Sequence, residues 1–415
     1  MEKRWTIIAI LFLVQIVNFA DKTVVGLAAV SIMQELNLSA SQYGLVASSF
    51  YSLYAVTTLV VALVFAPRYT PRVILTGLLL VWSVAQLPIL IVASLGVLIG
   101  CRTVLGAAEG PGTPTVISAA HEWFPPEERT LPTALVMLGT TVGPLLAAPL
   151  LSLVIASWGW RAAFLMCSLL GFLALILWWS LGADGPGVAV SDSRTNTAQG
   201  EDKSPQKLIW TDPTIIGWLL CGFCAYWSIG FSVSWLAPFL RVGLGFDTMT
   251  VGWAISLIFL GNGIIGLIAS SISQRLTLSG VSSRGARGIF IAVAQFGSAI
   301  FFVATAYASS DILKVVCIMF AISLPAITYT VGPPIISEIT RPADRNRTMG
   351  IIMAIIPISG IIAPYASGKM VESQPGIAGY DAALILAAAA LALGGTIALF
   401  TLHPERSKAR LVSAD

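Results

Sequence analysis

The chain has 415 residues, 56% of them hydrophobic and only 10% charged, with a net charge of +3. A soluble domain usually carries about 25% charged residues, so this composition excludes a globule clothed in water. The small net charge gives no footing for nucleic acid, and lipid must be the solvent for most of the chain.

A helix that spans the hydrocarbon core needs about 20 mostly apolar residues. Such runs predict spans at 5–30, 42–66, 73–95, 97–121, 131–156 and 160–182, then at 214–240, 249–272, 286–308, 312–337, 347–371 and 380–402. That makes an all-α membrane protein of twelve transmembrane helices in two six-helix halves. Their short connections favour antiparallel neighbours. Met1-Glu-Lys-Arg before the first run imitates a signal peptide, but no small-x-small cleavage site follows, and the run is read as the first span. Residues 1–182 form an N-terminal bundle, 213–403 a C-terminal bundle and 404–415 a tail. Between the bundles, 183–212 is rich in Ser, Gly, Asp and Thr and reads as a flexible linker. With the N-terminus inside, the inner segments hold 17 Lys and Arg and the outer ones 4, namely Arg161, Arg241, Lys314 and Lys369. This asymmetry puts both termini and the linker in the cytoplasm, as expected for a multi-pass protein of a bacterial inner membrane.

The two halves echo each other. Ser39-Ala-Ser-Gln-Tyr-Gly before the second span matches Asp247-Thr-Met-Thr-Val-Gly before the eighth, with Gly44 on Gly252. Ser39 and Asp247 are candidate helix N-caps. Glu122-Trp-Phe-Pro-Pro-Glu-Glu-Arg after the fourth span matches Glu338-Ile-Thr-Arg-Pro-Ala-Asp-Arg after the tenth, with Arg129 on Arg345. Two similar halves around a central loop is the layout of carriers that bind substrate at the midplane.

Four ionisable residues sit deep in predicted spans: Asp21, Lys22, Arg102 and Glu109. Each costs about 2.5–3.5 kcal/mol at a helix centre on insertion scales, which marks them for function. Arg102 and Glu109 are two turns apart on one face of the fourth span. Gly106 and Gly110 on that span permit close helix approach, and Pro111 and Pro114 bend or loosen it. Asp21 and Lys22 are adjacent and point about 100° apart, so each needs a partner from another helix, and the fourth span offers both signs. Arg102, with Lys22, is the candidate for a substrate anion. Asp21 and Glu109 are the candidate proton carriers, because burial and a nearby cation pull a carboxyl in opposite directions. Static ion bridges between helices are the competing reading.

Asn18-Phe-Ala-Asp-Lys, the stretch Arg102 to Thr115, and Trp123-Phe-Pro-Pro-Glu-Glu-Arg resemble the major facilitator superfamily and, within it, the anion:cation symporter group. That group includes bacterial sugar-acid and organic-acid transporters and vesicular glutamate and sialic acid carriers. The resemblance implies that Asp21 and Glu109 are the coupling acids, that Arg102 binds the anion and that Tyr54 lies near substrate. Lys22 stands where many relatives carry Arg. The loop Phe65-Ala-Pro-Arg-Tyr-Thr-Pro-Arg lacks the acid of the usual G-x-x-x-D-R-x-G, which points to a weakened or replaced latch. Sugar-acid relatives carry amides where this chain has Thr140 and Met353, so a less hydroxylated anion is expected, a monocarboxylate or an aromatic carboxylate. Trp227, Trp235, Tyr329 and Tyr365, with Tyr54, are candidate walls, and Ser359 a candidate contact.

No metal site, phosphate-cradling loop or catalytic cluster is legible, so neither an enzyme nor an ATP-driven pump is expected. Cys221 and Cys224 read as buried thiols. The expectation is therefore a monomeric secondary transporter without cofactor, taking up an organic anion with H⁺ by alternating access. Proton-linked efflux of an amphipathic compound is the alternative, and sugar-acid import ranks below both.

Overall fold

In a computed structural model of the chain, residues 2–185 and 210–412 are described, and among them all regular structure is helical. The N-terminal half contains α1 (Glu2–Leu36), α2 (Ala40–Phe65), α3 (Pro71–Ile91), α4 (Leu95–Glu109, then Gly112–His121), α5 (Thr130–Trp158) and α6 (Trp160–Leu181). The C-terminal half contains α7 (Pro213–Ser234), α8 (Thr248–Leu278), α9 (Arg284–Tyr307), α10 (Asp311–Ile339), α11 (Pro342–Ile355, then Ser359–Ser373) and α12 (Ile377–Thr401). Eleven of these are long and apolar enough to cross a membrane. The twelfth, α4, was expected as one run over 97–121 but is split at Gly110 and Pro111. Proline cannot donate the backbone bond that would carry the helix through.

Local chemistry sets the ends. Ser39 closes a full capping box with Gln42, and Asp247 accepts from the backbone N–H groups of Met249 and Thr250, so both repeat motifs start helices in the same way. α1 runs past the expected residue 30 and stops at Asn37, which takes φ 50°. Its last turn is tied down by Glu35, which meets Arg161 at 2.6 Å and accepts from the Trp160 indole at 2.7 Å. The expected linker lies mostly outside the described residues. The expected tail is largely a helix, α13 (Pro404–Val412), whose Ser407 hydroxyl bonds the buried Asp212 carboxylate at 2.8 Å at the start of α7.

Within the N-terminal half, α4 packs on α2 through glycines. Gly106 lies against the carbonyl of Phe50 and Gly110 against that of Tyr54, so neither position has room for a Cβ. Between the halves, α2 packs on α11, α5 on α8 and α1 on α7. These seams close the end of the molecule opposite the N-terminus, called the distal end below. A Cβ on Gly44 would lie 2.7 Å from the Pro364 carbonyl oxygen, and one on Gly252 would lie 2.6 Å from the Ser152 hydroxyl. The glycines matched between the repeats are therefore each a crossing point with a helix of the other half. The Glu372 carboxylate at the end of α11 accepts from the Ser39 hydroxyl at 3.1 Å and from the Ser41 backbone N–H at 3.0 Å. An anion from one half thus sits on the helix N-terminus of the other.

Candidate functional site

The four charges converge where α1, α3 and α4 meet in the middle of the N-terminal half. Asp21 and Glu109 are 0% exposed, Arg102 is 1% and Lys22 is 9%. As their spacing on α1 requires, Asp21 and Lys22 face different neighbours. The Lys22 ammonium lies 3.3 Å from Glu109 Oε2, donates to Asn18 Oδ1 at 2.6 Å and sits 4.2 Å from the centre of the Phe19 ring. Lys22 is thus paired in charge, while both Glu109 oxygens lack a hydrogen bond, and Glu109 ends the first segment of α4 beside the break.

Asp21 takes its partner from α3, not from α4. Its Oδ1 accepts from Gln86 Nε2 at 2.8 Å, and its Oδ2 has no partner. Arg102 turns instead towards α2, with its guanidinium 4.7 Å from the centre of the Phe50 ring. Its Nε and Nη1 make no hydrogen bond, and no carboxylate among the described residues comes within ion-pair reach of it. A buried guanidinium with idle donors is costly unless something else arrives to accept them.

The other expected site residues divide. Tyr54 packs its ring 5.8 Å from Phe50 and 6.0 Å from Tyr51, over the Gly110 end of α4. Ser359 is fully buried at the resumption of α11, with its hydroxyl unpartnered. Thr140 is half-buried on α5, next to Gly139, which packs on α1. Tyr365 is not brought to the cluster: it is 41% exposed near the distal end, its ring 5.9 Å from the Lys369 ammonium. Trp235 is committed to packing, donating to the Pro364 carbonyl at 2.8 Å.

Three tyrosines cross between the halves above the charges. Tyr51 meets Tyr226 at 5.8 Å, and Tyr226 meets Tyr329 at 6.3 Å, whose hydroxyl donates to the Gly222 carbonyl at 2.7 Å. Of these residues Tyr329 stood out in the sequence, whereas Tyr51, Tyr226, Phe50 and Gln86 did not. Aromatics and a lone amide carry no signal in an apolar span until the helix rotation is known.

The loop 65–72, expected to be a weakened latch, is largely exposed. Arg68 donates back to the Val64 carbonyl at 2.5 Å and Arg72 to the Trp179 carbonyl at 3.2 Å. The repeat partners Arg129 and Arg345 behave alike, donating to the carbonyls of Phe124 and Ser337 just before them. A cavity of about 240 Å³ opens elsewhere, between the C-terminal ends of α8 and α10 and the start of α9. The charge in its wall, Arg287, is already paired with Glu338 at 2.8 Å. All five cysteines are buried and free, and no group of His, Cys, Asp or Glu fit for a metal occurs among the described residues.

The Major Facilitator Superfamily profile matches residues 11–323 and 219–414. The chain belongs to the Major Facilitator Superfamily. It is a membrane transporter, not an enzyme. The hexuronate transporter of Bacillus subtilis strain 168 is 23% identical over 374 residues, which are 88% of this chain and 87% of that protein. The probable sulfoacetate transporter of Cupriavidus necator is 23% identical over 409 residues, 96% of this chain and 94% of that protein. Among solved structures, a bacterial homologue of the human lysosomal transporter Spinster, in an inward-facing and occupied conformation, superposes with a TM-score of 0.83 at 16% identity, covering 99% of this chain and 98% of the other. A D-xylose–proton symporter superposes with a TM-score of 0.76 at 15% identity, covering 97% and 99%. These likenesses carry the superfamily fold.

Proposed function

We propose that this transporter imports an organic anion together with H⁺ by alternating access, binding the anion on Arg102 and carrying protons on Asp21 and Glu109. The observation that carries the reading is the buried Arg102 guanidinium with two nitrogens, Nε and Nη1, unpartnered beside an internally paired Lys22–Glu109 bridge. Charge bookkeeping links the two. With Asp21 and Glu109 ionised, the four residues sum to zero. An arriving carboxylate adds one negative charge to a water-poor site, and one proton taken up restores neutrality. A proton on Glu109 also releases Lys22, which then offers its charge to the same anion. Binding of anion and proton therefore support each other without any covalent step.

The substrate is a monocarboxylate or an aromatic carboxylate. The wall formed by Phe50, Tyr51, Tyr54, Tyr226 and Tyr329 is aromatic, its rings set edge-on or tilted to one another, and Thr140 and Met353 stand where the resemblance puts the amides of sugar-acid carriers. The relative named for sulfoacetate, a short carboxylate without hydroxyls that also carries a sulfonate, supports a weakly hydroxylated anion, though its second charge would call for a second proton or cation. The relative named for hexuronate supports a second reading, sugar-acid import, in which Ser359 and the tyrosine hydroxyls would meet the hydroxyl groups. The end that carries both termini is cytoplasmic, by its excess of Lys and Arg.

Uptake of a panel holding lactate, sulfoacetate, benzoate and glucuronate into proteoliposomes decides between these. Saturable uptake of the first three that falls by about a hundredfold in Arg102→Ala is expected. Strong uptake of glucuronate alone would replace the first substrate class with the second. Uptake unchanged in Arg102→Ala would remove the proposed anion site.

A further inference from the structure

Asp21 and Gln86 form a pair whose bonding is half complete. The Gln86 amide donates to Asp21 Oδ1 at 2.8 Å, while Asp21 Oδ2 and Gln86 Oε1 are both buried acceptors without a full hydrogen bond, the Trp82 indole N–H and the Cys167 thiol lying near the carboxylate as longer, weaker contacts. Asp21 is 0% exposed and Gln86 1%, so water cannot cover either atom from bulk solvent. Two acceptors left over in one acid–amide pair lack one shared hydrogen. A proton on the carboxyl supplies it. The protonated acid can donate O–H to the amide carbonyl while the amide still donates N–H to the other carboxyl oxygen, giving two hydrogen bonds in a ring.

We propose, resting on the reading of Asp21 as a coupling acid, that Gln86 is the positioning residue for its proton. The amide donates to the carboxylate when Asp21 is charged and accepts from the carboxyl when it is protonated. An amide is the side chain suited to this task, because it carries donor and acceptor side by side and never changes charge itself. A second carboxylate there would compete for the proton, and a hydroxyl would offer only one atom.

The groups facing the pair are few. Trp82, also on α3, presents an indole N–H that has no partner, and the Cys167 thiol of α6 lies beside the carboxylate. Arg102 of α4 acts on Asp21 through its charge, and Lys22 and Glu109 lie close enough to sense it. The Trp82 indole only donates, the Cys167 thiol is a weak donor and a weak acceptor, and the others are charged, so Gln86 is the group that can serve both protonation states with full-strength hydrogen bonds. The idle Trp82 N–H fits this division, since the charged carboxylate can draw it in when the proton leaves.

The experiment needs no substrate. pH-difference infrared spectra of the full-length protein in liposomes report the carboxyl C=O band of protonated Asp21, identified by its loss in Asp21→Asn. Gln86→Met keeps the volume and removes both hydrogen bonds. It should move the band to higher frequency, as for a carbonyl without a donor, and raise the titration midpoint, because the charged form loses the stronger bond. Gln86→Glu should raise the midpoint by one pH unit or more, a tenfold or greater gain in proton affinity, because two carboxyls then share a proton. Gln86→Asn, which keeps the amide one carbon shorter, should recover part of the wild-type midpoint. If the Asp21 band titrates but neither its frequency nor its midpoint changes in Gln86→Met and Gln86→Glu, Gln86 only fills space and the proposal is overturned. If no band depends on Asp21 in the wild type, the reading of Asp21 as a coupling acid has failed instead, and this proposal falls with it.

Discussion

Arg102 and Lys22 are both buried cations, yet their surroundings assign them different tasks. Lys22 already has Glu109, Asn18 and the Phe19 ring, whereas Arg102 has an aromatic face and idle donors. Arg102→Ala should therefore weaken anion uptake by about a hundredfold, from roughly 3 kcal/mol of charged hydrogen bonding lost to the substrate. Arg102→Lys should recover only part, because charge returns without the planar fork. Uptake kinetics in proteoliposomes measure both. Lys22 makes the opposite kind of prediction. Lys22→Ala strands the Glu109 carboxylate and should lower stability by about 3–5 kcal/mol, whereas Lys22→Ala with Glu109→Gln should recover most of it. Thermal unfolding in detergent tests this. The charges themselves were legible in the sequence, because an ionisable residue in an apolar run stands out against its background. Their partners were not all legible. Gln86 looks like any polar residue in a span, and Tyr365 was taken for a wall residue because periodicity does not give the rotation of a helix about its axis.

At the scale of helices, small residues decide where backbones touch. Gly106 and Gly110 let α2 lie directly on α4, which brings the Phe50 ring under Arg102 and Tyr54 beside the break. The break itself follows from Gly110 and Pro111 and puts Glu109 at an interrupted helix end, the kind of irregular backbone tolerated at depth where it borders a polar site. Gly44 and Gly252 do the same work at the distal seams. Gly44→Val should push α11 away, since even a Cβ there would lie 2.7 Å from the Pro364 oxygen. The expected outcome is a distal end that opens more often. A cysteine placed at Ser48 should then react faster with a membrane-impermeant maleimide than in the parent. Glu372→Ala, which removes the acceptor for the Ser39 hydroxyl and the Ser41 N–H, should have a smaller effect in the same direction. The repeat was legible as paired motifs, and the capping role of Ser39 and Asp247 followed from residue type. That the paired glycines join opposite halves was not legible, because a glycine in a span records that something comes close and not what it is.

For the whole molecule, the asymmetry between the halves is the informative feature. The four charges of the central cluster belong to α1 and α4, while the second half brings Tyr226, Tyr329 and the unpartnered Ser359 hydroxyl towards the same region. Composition alone placed the chain in lipid, and the count of apolar runs gave the twelve-helix plan. The extent of α1 and the docking of α13 needed the structure, since both depend on side chains distant in sequence, Arg161 for the first and Asp212 for the second. The most direct test of the whole account is accumulation of a carboxylate in proteoliposomes under an imposed pH gradient, comparing the parent with Asp21→Asn and Glu109→Gln. The account predicts concentrative uptake when the outside is acidic, loss of that accumulation in both variants, and survival of simple substrate exchange in at least one. Gradient-driven accumulation that persists unchanged in both variants would contradict it.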